Sequence, residues 1–185
     1  MNHAAQAAKV VDILLADEAA MAQLRAVRTL ALPDWCIAGG FVRNRVWDAL
    51  TGQREAFASD TDALFFDPGD RTKEREQALE ARLQAMLPDV DWQVRNQARM
   101  HYFNGDPPYR DTAHAMTFWL ETCTAVGARL TVNEKIELVA PQGLDDLMNL
   151  VFRPTASGRK HYDAYRQRID TKPWRRRWPS ATFIL

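Results

Sequence analysis

The chain has 185 residues, of which 46% are apolar and 26% are charged, and its formal net charge at pH 7 is zero. This length suits one domain, or one domain with an appendage, and it can bury a core without disulfides or a structural metal. Because the opposite charges balance, the overall electrostatics favour no class of partner.

The two cysteines, Cys36 and Cys123, lie outside any CxxC motif or Cys/His cluster, which argues against a zinc site and fits a reducing compartment. Cys36 lies in an apolar run and is predicted to be buried. The first twenty residues lack the features of a signal peptide, and no apolar run approaches the length of a membrane span. We therefore expect a cytoplasmic protein without a membrane partner.

Residue patterning predicts helices and strands in alternation. A helix is expected over 5–16, and Asp17 is placed to cap a second helix that runs to about Thr29. Further along, the sequence predicts a strand at 35–38, a helix at 41–52 ending at Gly52, a strand at 60–67, a helix at 70–87, a strand at 90–95, a helix at 112–121, a hairpin of 128–132 with 135–140, and a helix at 143–152. Residues 96–105 have no clear preference.

These elements predict an α+β fold with a small sheet covered by helices. We expect a single domain over 1–185, with a core of about 1–105 and a packed C-terminal extension of about 106–185.

Two aspartates, Asp60 and Asp62, open the predicted strand at 60–67. Residues two apart on a strand point to the same side, so the two carboxylates should project together and repel each other. A divalent cation with oxygen ligands, Mg²⁺ or Mn²⁺, would relieve that repulsion. For an isolated pair, the simpler alternative is that one aspartate caps a turn and the other is solvated.

Gly39 and Gly40 lie between the strand at 35–38 and the next helix. Glycines at a helix start let a phosphate approach free backbone N–H groups, and Arg43 in the first turn could bind the same anion. A strand-to-helix turn often needs glycine for its own geometry, so this signal is weak alone. Together with the aspartates, it indicates phosphoryl or nucleotidyl transfer.

The segment "GGFVRNRVWDALTG…SDTDALFF" resembles the head motif of the DNA polymerase beta-type nucleotidyltransferase superfamily, and specifically that of CCA-adding enzymes and bacterial poly(A) polymerases. The stretches "WQVRNQARMH", "ETCTAVGARL", "APQGLDDLMNL" and "KPWRRRWP" resemble a family of small bacterial nucleotidyltransferase-like proteins. The second resemblance covers roughly Trp35 to Pro179. It implies a polymerase beta-like nucleotidyltransferase core with a C-terminal extension.

The resemblance also implies roles for individual residues. Gly39, Gly40 and Ser59 would join Arg43 in binding the nucleotide, and the two aspartates would be the catalytic metal ligands. A third acid on a later strand is expected in this superfamily, but the aligned position holds Gln93. Asp91, two residues earlier, is the expected substitute.

A basic, aromatic stretch occupies residues 159–178, where eight Lys/Arg accompany two Asp and four large aromatic residues. Such a composition suits nucleic acid, but it equally suits a tail that packs its aromatic rings on the core. We slightly favour the packed tail.

The predicted function is metal-dependent transfer of a nucleotidyl group from a nucleoside triphosphate to an acceptor hydroxyl on RNA, a protein or a small molecule. One alternative is a degenerate protein that binds or senses the nucleotide without turnover, which Gln93 favours. Another is an RNA-binding module built on the basic stretch. The sequence defines neither the acceptor nor the oligomeric state.

Overall fold

The structure is a computed structural model that describes residues 2–53 and 59–185. Its helices are α1 (His3–Leu15), α2 (Glu18–Arg28), α3 (Gly40–Thr51), α4 (Lys73–Met86), α5 (Gln97–Asn104), α6 (Thr112–Met116), α7 (Asp145–Met148), α8 (Ala156–Lys160), α9 (Tyr162–Thr171) and α10 (Trp174–Arg177). Its strands are β1 (Cys36–Ala38), β2 (Thr61–Phe65), β3 (Trp92–Asn96), β4 (Gly127–Leu130), β5 (Ile136–Val139), β6 (Val151–Phe152) and β7 (Thr182–Phe183).

Five strands form one mixed sheet in the order β3-β2-β1-β4-β5. The central strand β1 is antiparallel to both β2 and β4, whereas β2 and β3 run parallel. The predicted hairpin is confirmed as the antiparallel pair of β4 and β5. A separate parallel pair joins β6 to β7. The expected α+β class, with a small mixed sheet covered by helices, is confirmed.

The helix boundaries follow local chemistry. Asp17 caps α2 as predicted, since its carboxylate accepts a hydrogen bond of 2.9 Å from the Ala20 N–H. Gly52 ends α3 in the left-handed conformation with φ 70°. Helix α4 begins three residues later than predicted, because Asp70 accepts hydrogen bonds from Thr72 and holds a turn ahead of it.

Two predicted helices are shorter in the structure. The helix expected over 112–121 ends at Met116. The one expected over 143–152 is reduced to α7, because Leu150 has φ 55° and the chain then forms strand β6. Residues 96–105, which the sequence left open, contain α5, capped by the Asn96 side chain.

The two faces of the sheet are covered differently. Ile37, Ala63 and Val94 belong to the main core, which also includes apolar residues of α1 to α4. On the opposite face, Cys36 and Leu64 pack in a small cluster with partly buried Trp119 beside it. The expectation that Cys36 is buried is confirmed, and burial raises the pKa of its thiol.

The chain beyond residue 105 completes this fold in two ways. Strands β4 and β5 lie in the central sheet, so the expected core boundary near residue 105 does not coincide with the edge of the sheet. The basic stretch packs its rings as the favoured interpretation required, with Tyr165, Trp174 and Trp178 all buried.

Within residues 2–53 and 59–185, no helix combines the length and the apolar character needed to cross a membrane.

Candidate active site

The glycine turn lies close to one aspartate of the pair. Ala38, the last residue of β1, pairs with Asp62 of β2, so the turn begins beside that side chain. Gly39 has φ 67° and ψ −123°, a conformation that glycine adopts without penalty. A Cβ at Gly39 would lie 3.5 Å from Asp62 Oδ2 and 3.4 Å from a ring carbon of Trp119. Only a residue without a side chain leaves this space open.

Gly40 occupies the other side of the turn. A Cβ there would lie 2.9 Å from Ser59 Oγ and 3.3 Å from the Asn44 amide nitrogen. Gly39 is the N-cap residue of the twelve-residue helix α3, and it has no side chain that could accept hydrogen bonds from the first N–H groups of the helix. A helix start with free N–H groups attracts an anion. The adjoining Ser59 hydroxyl donates to the Asp60 carbonyl over 3.1 Å, so it would have to rotate to serve as a further donor.

Asp60 and Asp62 differ in environment. Asp60 precedes β2 and is exposed, whereas Asp62 is partly buried. Burial, and then the negative charge of Asp60, raise the pKa of Asp62 to about 6. Among the described residues, neither carboxylate has a hydrogen-bond or salt-bridge partner. The charges of Arg95, Arg168 and Lys172 offset only part of the rise in the pKa of Asp62.

The chemistry of this pair fits a divalent cation. No group of three or more His, Cys, Asp or Glu suitable for a metal occurs within residues 2–53 and 59–185. Two carboxylates are nevertheless the usual protein contribution to a magnesium ion that takes its other ligands from water and substrate phosphates. Burial is the main cause of the raised pKa of Asp62, and an ion beside Asp60 and Asp62 would relieve the second cause, their mutual repulsion.

Two cavities flank the turn. The first, which we name the Trp119 cavity, has a volume of about 430 Å³ and is lined by Asp62, Asp106, Phe118, Trp119, Thr124 and Arg168, among others. The second, the Gly40 groove, has a volume of about 370 Å³ and is lined by Gly40, Asn44, Ser59, Asp60 and Asp91, among others. Asp60 and Asp62 therefore line different cavities, although the sequence led us to expect them on one side.

The strand register clarifies the place of the missing third acid. Asp62 pairs with Gln93 across the parallel strands β2 and β3. Gln93 is neutral, and its side-chain oxygen accepts a hydrogen bond from Arg95. Asp91 lies just before β3, where its carbonyl accepts a 2.7 Å hydrogen bond from the Thr61 N–H. The exposed Asp91 side chain thus lies in the Gly40 groove with Asp60.

The predicted phosphate ligand Arg43 lies in the protein interior. Only 5% of it is exposed, and it donates to Thr124 Oγ1 over 2.7 Å and to Asn44 Oδ1 over 2.9 Å. Its guanidinium also lies over the rings of Trp174 and Trp178, at 4.7 and 5.6 Å from the centroids. The expectation that Arg43 meets the anion is therefore corrected, because the C-terminal aromatic residues cover this side chain.

Sequence reasoning missed the residues that build the Trp119 cavity. Trp119 and Glu121 follow α6 in irregular backbone, and Arg168 comes from α9. Glu121 is 1% exposed and pairs with Arg168 at 2.7 Å, which ties the C-terminal segment to this wall. Nothing in the local pattern around these residues distinguishes a cavity wall from a packed loop.

Comparison with known proteins defines the class. A family model described as "Nucleotidyltransferase" matches residues 25–183, so the chain belongs to this nucleotidyltransferase family. A solved structure whose title states that it "reveals a CCA-adding enzyme head domain" is 32% identical and superposes with a TM-score of 0.82. That match covers 95% of this chain and 94% of the other. No curated protein matches.

Proposed function

We propose that the protein transfers a nucleotidyl group from a nucleoside triphosphate to an acceptor hydroxyl, using Mg²⁺ or Mn²⁺ held by Asp60 and Asp62. The observation that carries this proposal is the closeness of the glycine turn to Asp62, since Ala38 pairs with Asp62 and a Cβ on Gly39 would lie 3.5 Å from Asp62 Oδ2. A phosphate bound at the turn would therefore lie beside the Asp62 carboxylate. Membership of the nucleotidyltransferase family supports the same chemistry.

The protein residues would divide the work as follows. The N–H groups at the start of α3 and the Ser59 hydroxyl would bind triphosphate oxygens, in the space that Gly39 and Gly40 leave open. The cation, when bound, would neutralise charge that develops on the phosphate oxygens. Arg43 would position Asn44 and Thr124, to which it donates hydrogen bonds, and would not contact substrate.

In the reaction, the acceptor oxygen would form a bond to the α-phosphorus while the bond from that phosphorus to the leaving pyrophosphate oxygen breaks. The acceptor hydroxyl would lose its proton in the same step. Asp91, just before β3, is the acid that we propose as the proton acceptor, because it lines the same groove as Asp60 and Gly40. The acceptor itself is an RNA, a protein or a small molecule.

The alternative function is nucleotide binding without turnover. It is favoured by Gln93, a neutral side chain that occupies the register position beside Asp62 and is engaged by Arg95. The RNA-binding alternative has less support, because Trp174 and Trp178 are buried and Arg168 is paired with Glu121.

The test is incubation of the protein with each α-labelled nucleoside triphosphate, a divalent cation and a cell extract. Transfer should release pyrophosphate and label an acceptor, and Asp62→Asn should abolish both signals. Asp12→Asn, an exposed change on α1, is the matched control and should leave both unchanged. Tight nucleotide binding without pyrophosphate release or labelling would instead support the binding protein.

A further inference from the structure

Apart from Asp62, the residues that line the Trp119 cavity have no direct role in the proposed function. The volume of the cavity, about 430 Å³, falls in the range of small-molecule sites. The partly exposed rings of Phe118 and Trp119 line it, together with three carboxylates (Asp62, Asp106 and Glu121) and other polar side chains. A ligand with a flat apolar face and a polar edge would satisfy both kinds of wall.

The cavity begins where the triphosphate would end. A Cβ on Gly39 would lie 3.4 and 3.7 Å from two ring carbons of Trp119, so this ring borders the glycine turn directly. A nucleotide with its phosphates at the turn can therefore extend its sugar and base into the cavity. The Gly40 groove on the other side contains mainly polar and charged side chains and has few apolar surfaces for a base.

The walls of the cavity are held in place. Thr155 accepts Gly158 N–H at 3.0 Å with its hydroxyl oxygen, and this hydroxyl also donates to the Trp119 carbonyl. Gly158 packs so closely that a Cβ there would lie 2.2 Å from the Leu120 carbonyl oxygen. Phe118 is fixed by Tyr109, whose ring centroid is 5.2 Å away. These contacts hold the backbone of Trp119 and pack one face of Phe118, which lowers the freedom lost when a ligand stacks there.

We propose that the Trp119 cavity binds the nucleobase of the nucleoside triphosphate, with the base stacked on Trp119 and its polar edge facing Asp106. This inference rests on the proposed function, since it requires phosphates at the glycine turn. It adds the base-binding site and a residue that determines base preference.

Asp106 gives the site its selectivity. Its Oδ2 accepts a hydrogen bond from the Tyr109 hydroxyl, which in turn accepts one of 3.1 Å from the Asn104 amide. The carboxylate is thereby oriented and can accept further hydrogen bonds but not donate them. Guanine presents two adjacent N–H donors on its Watson–Crick edge, and none of the other three bases does. The preferred nucleotide is therefore GTP.

The experiment measures binding of α,β-methylene analogues of the four nucleoside triphosphates, and of inorganic tripolyphosphate, by calorimetry in Mg²⁺. Tripolyphosphate tests the phosphate site alone. Trp119→Ala should weaken the GTP analogue by about 5- to 150-fold, the range for one base stacked on one aromatic ring. It should leave tripolyphosphate affinity unchanged. Trp119→Phe should retain most of the affinity, and Asp106→Asn should remove the preference for the GTP analogue.

Two variants serve as controls. Trp119→Leu keeps an apolar side chain but has no flat ring for stacking. It should weaken the GTP analogue as Trp119→Ala does, and it replaces Trp119→Ala in the test if the alanine variant folds poorly. Phe103→Ala removes an aromatic ring that is 70% exposed on α5 and does not line the cavity, so it should change nothing.

Equal effects of the Trp119 variants on the GTP analogue and tripolyphosphate would overturn the inference, as would equal wild-type affinity for the two ligands. The proposed function would survive both results. Wild-type protein that binds neither ligand would overturn both proposals. If Trp119→Ala weakens binding of a short RNA but leaves binding of the GTP analogue unchanged, the cavity belongs to the acceptor and the inference is overturned.

Discussion

The guanidinium carbon of Arg43 lies 4.7 Å from the ring centroid of Trp174, which joins the first turn of α3 to a short helix near the end of the chain. Thr124 and Asn44, which line the two cavities, each accept a hydrogen bond from the same arginine. Arg43 therefore connects the C-terminal segment to both sides of the candidate site.

This connection predicts that Arg43 contributes to stability more than to phosphate binding. Arg43→Ala should lower the free energy of unfolding by about 2–5 kcal/mol, the range for removing a large buried side chain. Chemical denaturation measures the loss. Tripolyphosphate affinity, measured where the variant is folded, should change less than threefold. A large loss of tripolyphosphate affinity with unchanged stability would show that Arg43 contributes to phosphate binding after all.

The aspartate pair predicts stabilisation by a metal. Mg²⁺ or Mn²⁺ at 10 to 100 times its dissociation constant should stabilise the native state by about 1.4–2.7 kcal/mol. Thermal unfolding with and without the ion measures this increment, and Asp60→Asn or Asp62→Asn should reduce it strongly. Asp12→Asn should retain it. The same increment in wild type and in both site variants would show that the ion binds elsewhere.

The raised pKa of Asp62 predicts a pH dependence in metal-free protein. Its pKa rises from 3.8 to about 6, first through burial and then through the charge of Asp60. Between these values the folded state retains a proton that the unfolded state has released, so the free energy of unfolding should fall as the pH rises through this window. Denaturant titrations from pH 4 to pH 7 measure the slope.

Asp62→Asn removes the titrating group and should flatten the part of that slope between pH 4 and pH 6. Saturating Mg²⁺ should flatten it too in the wild type, because an ion favours the ionised carboxylates. An identical pH profile in wild type and in Asp62→Asn would contradict the assignment.

The two glycines predict different effects of the same substitution. Gly39→Ala should cost about 1–3 kcal/mol of stability, because its φ of 67° is strained for alanine. Gly40→Ala should leave stability within about 1 kcal/mol, since the crowded atoms, Ser59 Oγ and the Asn44 amide, lie at the ends of side chains. It should nevertheless weaken tripolyphosphate binding by at least about tenfold, by filling the approach to the backbone.

Ser59→Ala distinguishes crowding from lost donation in that experiment. If the Gly40→Ala effect comes from crowding against Ser59, the double variant should recover part of the affinity. Unchanged tripolyphosphate affinity in folded Gly40→Ala would remove the turn from the proposed phosphate site.

Asp91, just before β3, and Gln93, on β3, allow a test of whether the protein turns over its nucleotide. If Asp91 accepts the proton, Asp91→Asn should slow pyrophosphate release by about a hundredfold or more, and Gln93→Glu should help little. If the third acid is instead needed at position 93, beside Asp62, Gln93→Glu should raise the rate of pyrophosphate release and Asp91→Asn should change it little. Asp89→Asn, an exposed change in the same groove, is the control. If neither the wild type nor Gln93→Glu releases pyrophosphate while both bind nucleotide tightly, the result favours a protein that binds nucleotide without turnover.

The sequence predicted the fold correctly where residues close together in the chain determine the local structure. The Asp17 cap, the breaks at Gly39 and Gly52, and the β4–β5 hairpin depend on neighbours within a few residues, and all are present. The helix predicted over 143–152 failed because β6 pairs with β7, a partner near the end of the chain. Long-range pairing of this kind leaves no local pattern.

The candidate site shows the same limit. The proximity of Gly39 and Asp62 follows from two adjacent strands and was foreseeable. The burial of Arg43 was not, because Thr124 and Trp174 meet it only in the tertiary fold. Trp119 was missed for a similar reason, since its ring matters through its contact with Gly39 and not through its own surroundings in the sequence.

The position of β4 beside β1 affects when the glycine turn can form during synthesis of the chain. Strand β1 is only three residues long, and the Gly39 N–H that follows it is bonded to the Val126 carbonyl over 3.0 Å. A nascent chain exposes the turn and Asp62 long before Val126 has left the ribosome. The turn therefore acquires its final geometry only late in synthesis, after most of the chain has been made.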